Sequence, residues 1–429
     1  MPRHDVVVIG AGLAGLTAAC ELAQSGARVA LIAQGMAATH WMHGGLDVAA
    51  PPGARTSREG LRTLAASDGH PYALLADDVE PALASLLHRL ASAGLPYRGG
   101  LDTPLSAMPT PVGGRRPAAI LPVGQAAAAS PWGEDERLLV VGFERFKDFW
   151  APYMARNLRL LWRGDGPADV ESEVVELPAT AALNNLSPVT LGRAFDDPEW
   201  SARAVRTLAA IPRRGGSWRV ALPAVLGVRR YAEVHAAVEE ALGHPVFEVA
   251  GMPPSLPGVR LFEALRADVV RRGGRVLIGS PVVRVERDGR NVVAVHTEAA
   301  SRTQRLAADR FVLATGGLAG GGLRAEPDGQ IREVVFGLAV DAPPHDRWFD
   351  LEVGPHPLEM AGIRMDADLR PLDGAGEPAL DNVSIAGSLL AGMRYLSERC
   401  GHGVAIASGW RAARHRAGAA RREAMEASA

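Results

Sequence analysis

The chain has 429 residues, 47% of them hydrophobic, and a formal net charge of −2. That length exceeds one ordinary domain and suits two, or one large nucleotide-binding domain with an insertion. The near-neutral charge argues against nucleic acid as the main partner, since phosphate-backbone binding needs an excess of Lys and Arg, and no apolar run is long enough to span a bilayer directly.

In chain order, the first core strand, Val6 to Ile9, follows Met1 to Asp5 without a signal-peptide pattern, so a cytoplasmic location is expected. The strand enters a glycine turn at Gly10, Gly12 and Gly15, then an apolar-periodic helix ending near Gly26, then a second strand, Val29 to Ile32. This β-α-β unit predicts a dinucleotide site. Gly10 permits the tight turn, Gly12 lets the backbone approach a pyrophosphate, and Gly15 lets helix and strand pack closely. Leu13 and Ala14 open the helix, whose N-terminal N–H groups and partial positive charge suit the phosphates. The acidic residue that would read an adenosine ribose after the second strand is missing: Gln34 stands there and can still make one hydrogen bond. A free, exchanging NAD is therefore disfavoured.

Residues 51–60 read as a loop, Ala82 to Gly94 as a helix, and residues 99–136 as a Gly/Pro/Ala-rich stretch in which Gly99 has no assigned contact. A second αβ-like region follows: strand Leu138 to Val141, mostly helix from Phe143 to Leu161, strand Ser172 to Leu177, helix Trp200 to Ile211 and strand Trp218 to Leu222. The PPSLPG of residues 253–258 closes it. Then come helix Val259 to Arg272, strand Val276 to Ile278, a hairpin over Val282 to Arg287 and Asn291 to Glu298, and strand Arg310 to Ala314. The predicted fold class is α/β, a Rossmann-like FAD-binding domain with an inserted αβ cap: residues 1–60 and 258–429 form the FAD-binding domain and 61–257 the insertion.

Four segments converge on one expected flavin site. Beside the phosphate turn, THWMHGGL at 39–46 offers His40, Gly44, Gly45 and Leu46, the glycines allowing backbone to pass a flat ring. Ala314, Thr315 and Gly316 are small residues at a strand end; a short strand, Val383 to Ala386, ends at Gly387 and Ser388; and Gly403 and Val404 open a helix of small and apolar residues. A helix N-terminus aimed at a flavin would stabilise negative charge on the reduced ring. The two cysteines, Cys20 in the first helix and Cys400 in a glycine-flanked turn, are too few to ligate an iron–sulfur cluster, and no metal site is expected. Arg115, Arg116, Arg229, Arg230 and Arg260 are candidates for clamping a phosphate, and the Arg411 to Arg422 tail for docking a partner. No residue is assigned a catalytic role, and His43 and His402 stay without one.

These segments also carry a resemblance. HWMHGGLDV, HPYALL at 70–75, LATGGLAGGGL at 313–323, GIRMDADLRP at 362–371, SIAGSLLAG and CGHGVAIA make the chain similar, over nearly its whole length, to flavoproteins with the succinate dehydrogenase and fumarate reductase type of FAD domain. Within them it resembles the family of anaerobic glycerol-3-phosphate dehydrogenase B subunits. The resemblance implies a subunit working with a larger catalytic flavoprotein and an iron–sulfur, membrane-associated subunit. Together they would oxidise sn-glycerol 3-phosphate to dihydroxyacetone phosphate, with electrons passed to quinone, and would place the chain at the inner face of the cell membrane through its partners. That family's B subunit is usually credited with FMN, whereas the N-terminal turn here suits the adenosine diphosphate of FAD; FAD is the expectation and FMN the alternative. Ser388 stands where many relatives of the fold carry an Asp that binds the flavin ribitol, and His402 where a small residue is expected. His40 lies closer to Gly44 and Gly45 than the histidine some relatives bond to FAD, which favours non-covalent binding. Two other functions stay open: a stand-alone FAD-dependent oxidoreductase acting on another small hydroxy or amino acid, and a non-catalytic assembly partner with a decayed flavin site.

Overall fold

The computed structural model describes residues 3–178, 186–211, 215–299, 302–348 and 355–414, and the chain divides into two compact units. Unit 1 comprises residues 1–38, 47–89 and 265–429; unit 2 comprises 39–46 and 90–264. The insertion therefore starts at Leu90, about thirty residues later than the expected 61, and unit 2 also claims the 39–46 loop.

Unit 1 is built on a parallel sheet. Its strands are β1 (His4–Ile9), β2 (Val29–Ala33), β3 (Arg275–Ile278), β4 (Val282–Asp288), β5 (Asn291–Ala299), β6 (Arg302–Leu313) and β7 (Val383–Ile385). The parallel order is β3-β2-β1-β6-β7. β1 and β2 are buried on both faces, which is why they read as unbroken Val/Ile/Leu runs rather than as alternation. β6 belongs to two sheets at once: Phe311 to Leu313 pair in parallel with Val7 to Ile9 and with Val383 to Ile385, while its first half pairs antiparallel with β5 in a hairpin continued by β4.

Unit 1 contains the helices α1 (Leu13–Gln24), α2 (Ser57–Ala65) and α4 (Gly401–Arg414) and, as far as Arg89, α3 (Tyr72–Ser92). Eleven of the twelve α1 residues are buried. The guanidinium of Arg89 on α3 ties the layers together, reaching Glu21 Oε1 on α1 and Asp268 Oδ2 on helix Leu256–Arg271, each at 2.8 Å. Three carboxylate or amide partners and its own near-complete burial mark it as a structural cation.

Unit 2 holds a second parallel sheet, in the order Val246–Val249, Trp218–Pro223, Arg137–Phe143, Val170–Val175, which leaves the last strand at an edge. Helix Ala151–Leu161 links the third of these to the fourth. The helix begins eight residues after the expected Phe143 because Phe143 ends the strand, Arg145 turns at φ 65°, and Trp150 with Pro152 starts the helix.

Candidate functional site

β1 ends at Ile9 and the chain turns sharply at Gly10, where φ is +111° and the N–H donates to the Ile32 carbonyl at 2.7 Å. A Cβ at Gly10 would overlap the Ala314 carbonyl oxygen, and one at Gly15 would overlap the carbonyl of Gly10. These two glycines are demanded by the protein's own packing. Gly12 is different. It precedes α1 at an ordinary φ of −74°, and the nearest atom to a Cβ there is Ala37 Cβ at 3.8 Å. Among the described residues nothing needs position 12 to lack a side chain, so the bare backbone faces space that suits a phosphate beside the first-turn N–H groups of Leu13, Ala14 and Gly15. Gln34 follows β2 and is exposed.

The other segments of unit 1 close on this turn. Ala314 N–H donates to Ile9 O at 2.8 Å, and Gly317 N–H donates to Ser388 Oγ at 3.0 Å, which clamps the 314–317 turn, with Gly316 at φ +84°, to the end of β7. Gly387 donates its N–H to Ser408 Oγ at 2.9 Å, and Ser408 donates in turn to Val404 O at 2.6 Å, so a hydroxyl buried in α4 relays between the two. A Cβ at Gly387 would lie 2.9 Å from Ala14 Cβ, and one at Gly409 would overlap the Ala14 carbonyl. Thr315 Oγ1 is shielded from solvent without a hydrogen-bond partner among the described residues, an orphaned polar atom where a bound group would supply one.

At the start of α4, His402 Nδ1 accepts the Asp47 N–H at 2.9 Å and Gly403 N–H donates to Asp47 O at 3.0 Å. Gly403 is packed so closely on Val48 and the Tyr72 hydroxyl that no side chain fits. Burial holds the Tyr72 phenol well above its ordinary range, so it stays protonated and donates to the Val48 carbonyl. Unit 1 thus gathers Gly10, Gly12, Leu13, Ala14, Gly15, Ala314, Thr315, Gly316, Gly387, Ser388, Gly403 and Val404 in one connected set of contacts. Ser408 was not legible as a member, although a lone serine four residues after Val404 on an apolar helix is a usable signal.

His40, Gly44, Gly45 and Leu46 belong to unit 2. The His40 ring is buried and lies 4.5 Å from the Phe262 ring. Gly44, at φ +109°, accepts the Tyr97 hydroxyl on its carbonyl at 2.8 Å, and a Cβ would come within 2.6 Å of Gln125 Oε1. A Cβ at Gly45 would lie 2.8 Å from both His43 Nε2 and Leu121 Cδ2, while Leu46 N–H donates to Ile120 O at 2.9 Å. Both glycines therefore have a packing reason inside unit 2. His43 accepts Arg116 Nε–H on its Nε2 at 3.1 Å.

Most of the remaining arginine candidates are engaged elsewhere. Arg260 is buried, holds Glu248 with both terminal nitrogens, donates to Gly227 O at 2.7 Å and covers the Tyr231 ring at 3.7 Å. A phosphate clamp needs donors to spare, and Arg260 is spent on its carboxylate. Arg115 pairs with Asp165 at 2.6 Å and Arg230 with Glu233 at 2.9 Å, both at the surface. Arg411, the start of the arginine-rich tail, binds Asp78 and donates to Leu74 O at 2.6 Å; residues 415–422 lie outside the described residues. His70, Glu398 and Cys400 cluster with ligand-type atoms within 4.8 Å. His70 Nδ1 accepts the Tyr72 N–H at 3.0 Å, which puts the neutral ring's proton on Nε2, 3.4 Å from Glu398 Oε2. That tautomer turns a donor toward the carboxylate rather than a lone pair toward a cation. Burial pushes the Glu398 carboxyl up, but the adjacent His70 ring and the hydrogen bond from the Arg394 N–H outweigh it and hold the group below its ordinary range.

The parallel sheet, the Gly10–Gly15 turn and the small-residue turns packed against it define a nucleotide-binding flavoprotein, and residues 5–404 match the FAD binding domain family. The chain is thus an FAD-dependent oxidoreductase by family. It is 33% identical to the probable anaerobic glycerol-3-phosphate dehydrogenase B subunit of Halobacterium salinarum, over 96% of this chain and 97% of that protein. The anaerobic glycerol-3-phosphate dehydrogenase B subunit of Yersinia pseudotuberculosis is 30% identical over 95% and 96% of the two chains. Among solved structures, a flavocytochrome c3 fumarate reductase aligns over 96% of this chain and 78% of its own at 11% identity and a TM-score of 0.45. The chain belongs to the family of anaerobic glycerol-3-phosphate dehydrogenase B subunits. No helix among the described residues is long and apolar enough to cross a membrane.

Proposed function

We propose that this chain is the flavoprotein B subunit of a respiratory, anaerobic-type glycerol-3-phosphate dehydrogenase. The assembly oxidises sn-glycerol 3-phosphate to dihydroxyacetone phosphate and delivers electrons to quinone through a catalytic flavoprotein subunit and an iron–sulfur, membrane-associated subunit. Through them the chain sits at the cytoplasmic face of the membrane. The observation that carries this is agreement over the whole length: relatives named as B subunits of that enzyme reach 30–33% identity across 95–96% of the chain.

FAD, when bound, supplies the two-electron chemistry. In the proposal, Gly12 and the first-turn N–H groups of Leu13, Ala14 and Gly15 take the pyrophosphate, and Gln34 reads the adenosine ribose. Thr315 Oγ1 gives its unused hydrogen-bonding capacity to the dinucleotide. Ser388 accepts from Gly317 N–H, which fixes the turn and leaves the serine's own proton to donate to a ribitol oxygen, in place of the carboxylate other relatives use. Gly10, Ala314, Gly316, Gly387, Gly403 and Val404 shape the cradle.

Two measurements test the proposal. Acid precipitation of the purified protein is expected to release FAD into the supernatant; flavin retained in the pellet, or FMN alone in the supernatant, overturns the non-covalent FAD assignment. Dye-linked oxidation of glycerol 3-phosphate is expected to be negligible for the isolated, flavin-loaded chain and to appear once the partner subunits are added. Turnover by the isolated chain of about one per second or more, the low end of ordinary enzyme rates, would show that it is catalytic by itself.

A further inference from the structure

Ser408 is the one hydroxyl on α4, is fully buried, and donates to the Val404 carbonyl one turn back at 2.6 Å. That bond alone satisfies the hydroxyl proton of a serine inside a helix, and alanine would form the helix better. The accepting side of the oxygen reaches further: it takes the Gly387 N–H at 2.9 Å from a different segment, the turn that carries Ser388. Gly387 is buried, at φ +79°, so the hydroxyl supplies an acceptor that solvent does not. Thr17 on α1 is the contrast. Its hydroxyl makes the same bond four residues back, to the Leu13 carbonyl at 2.7 Å, and accepts from no other segment among the described residues.

The same step of α4 meets the phosphate turn. A Cβ at Gly409 would lie 2.3 Å from the Ala14 carbonyl oxygen, and a Cβ at Gly387 would lie 2.9 Å from Ala14 Cβ. Ala14 belongs to the first turn of α1, two residues after Gly12. Two consecutive residues of one helix therefore touch two segments from opposite ends of the chain. Gly409 sets how closely α4 approaches α1, and Ser408 fastens the 387–388 turn to α4 at hydrogen-bond distance. Because the backbone ladder of α4 holds residues 408 and 409 together, the helix acts as a spacer between the two turns.

We propose that Ser408 is a positioning residue for FAD, holding the 387–388 turn in register with the phosphate turn. The inference rests on the cofactor reading above, in which Gly12 and the first turn of α1 take the pyrophosphate and Ser388 donates to the ribitol. A ligand held at two points gains from pre-organisation only while the separation of those points is fixed before it arrives. Ser408 acts through the Gly387 N–H and is assigned no contact with the cofactor. Its removal leaves that buried N–H without an acceptor and lets the ribitol turn shift against α1, a cost that falls on FAD only while the pyrophosphate is anchored as well.

The test is a double-mutant cycle on FAD affinity, measured by equilibrium dialysis of FAD against the purified, flavin-free full-length chain. Ser408→Ala is expected to raise the Kd about tenfold in the wild-type background and less than about threefold in the Gly12→Ala background, where the other anchor is already weakened. Gly12→Ala by itself, whose Cβ meets only Ala37 Cβ at 3.8 Å, is expected to raise the Kd about tenfold. Thr17→Ala, which deletes the other buried hydroxyl, is expected to stay within about twofold of wild type. Where Ser408→Ala lowers the thermal midpoint of the flavin-free chain by more than about 5 °C, Ser408→Cys takes its place with the same pair of expectations, since it keeps the volume and sets a weaker acceptor against the Gly387 N–H. Equal losses in the two backgrounds, no loss in either, or as large a loss from Thr17→Ala overturn the positioning role while the FAD site stands. A wild-type chain that takes up no FAD, or a Gly12→Ala chain that binds it as wild type does, overturns the cofactor reading on which the inference rests.

Discussion

Three glycines separated by two and three positions do different work. Gly10 and Gly15 are required by neighbouring backbone, so Gly10→Ala or Gly15→Ala is expected to lower the thermal midpoint by about 5 °C or more, in the range of a few kcal/mol for a domain of this size. Gly12→Val places its side chain in open space and is expected to leave the midpoint of the FAD-free protein within about 2 °C while cutting FAD content at least tenfold. Gly99 is unsuited as a control, although its surroundings in sequence suggest a free loop: φ is +90° and a Cβ would overlap the Ala119 carbonyl. Gly374, with ordinary φ and no neighbour within 4 Å, is the proper one, and Gly374→Val should retain both flavin and stability. At the same scale, Arg260→Met strands the buried Glu248 carboxylate and is expected to destabilise unit 2 by about 3–5 kcal/mol in denaturant unfolding, much of it recovered by the double variant Arg260→Met/Glu248→Leu. An Arg260→Met chain that keeps its stability, in a complex that loses glycerol 3-phosphate turnover, would instead make Arg260 a phosphate ligand.

The elements nearest the phosphate turn were legible because their signals are local. β1, α1 and β2 come from a β-branched run, a glycine turn and a 3.6-residue period, all within thirty residues. Others were hidden. The 51–60 stretch reads as a loop, yet its last four residues begin α2, with Thr56 Oγ1 accepting the Glu59 N–H at 3.1 Å; the Thr-Ser-Arg-Glu spacing was the available sign. α3 starts at Tyr72, ten residues before the expected Ala82, because the helix runs through Pro81 instead of beginning after it. Tyr97 and Gln125, which shape the 44–45 turn, carry no local signal, since their role is created by contacts fifty to eighty residues away. One element also predicts a pH response. Cys20 on α1 is fully buried with its thiol on the Leu265 carbonyl, and burial pushes it up to about 12. A pKa raised in the folded state gives stability that is whole below the ordinary thiol value of 9.0 and is lost as pH climbs from there toward about 12. The Cys20→Ala variant is expected to flatten this part of the stability profile, and an unchanged slope between pH 9 and 11 would contradict the assignment.

For the whole molecule, the order in which the chain is made matters. Val7 pairs with Phe311 and Leu31 with Val276, so the central sheet of unit 1 is stitched from opposite ends of the sequence. All four strands of the unit 2 sheet, by contrast, lie within residues 137–249. During synthesis at about 5–20 residues per second, β1 and β2 would wait some fifteen seconds to a minute for β6 and β3 to emerge, holding apolar faces with no partner strand on their outer edges. The inserted unit is thus expected to fold on the ribosome while the nucleotide sheet is still open. Nascent chains arrested with about 265 residues outside the tunnel should show protease-resistant residues 90–249 and a cleavable N-terminal segment; resistance of residues 4–33 at that length would show that the first β-α-β unit closes without its distant strands. Supplying flavin early would then do nothing for the yield of folded protein, because the turn proposed to receive it is completed only when Ala314 arrives beside Gly10.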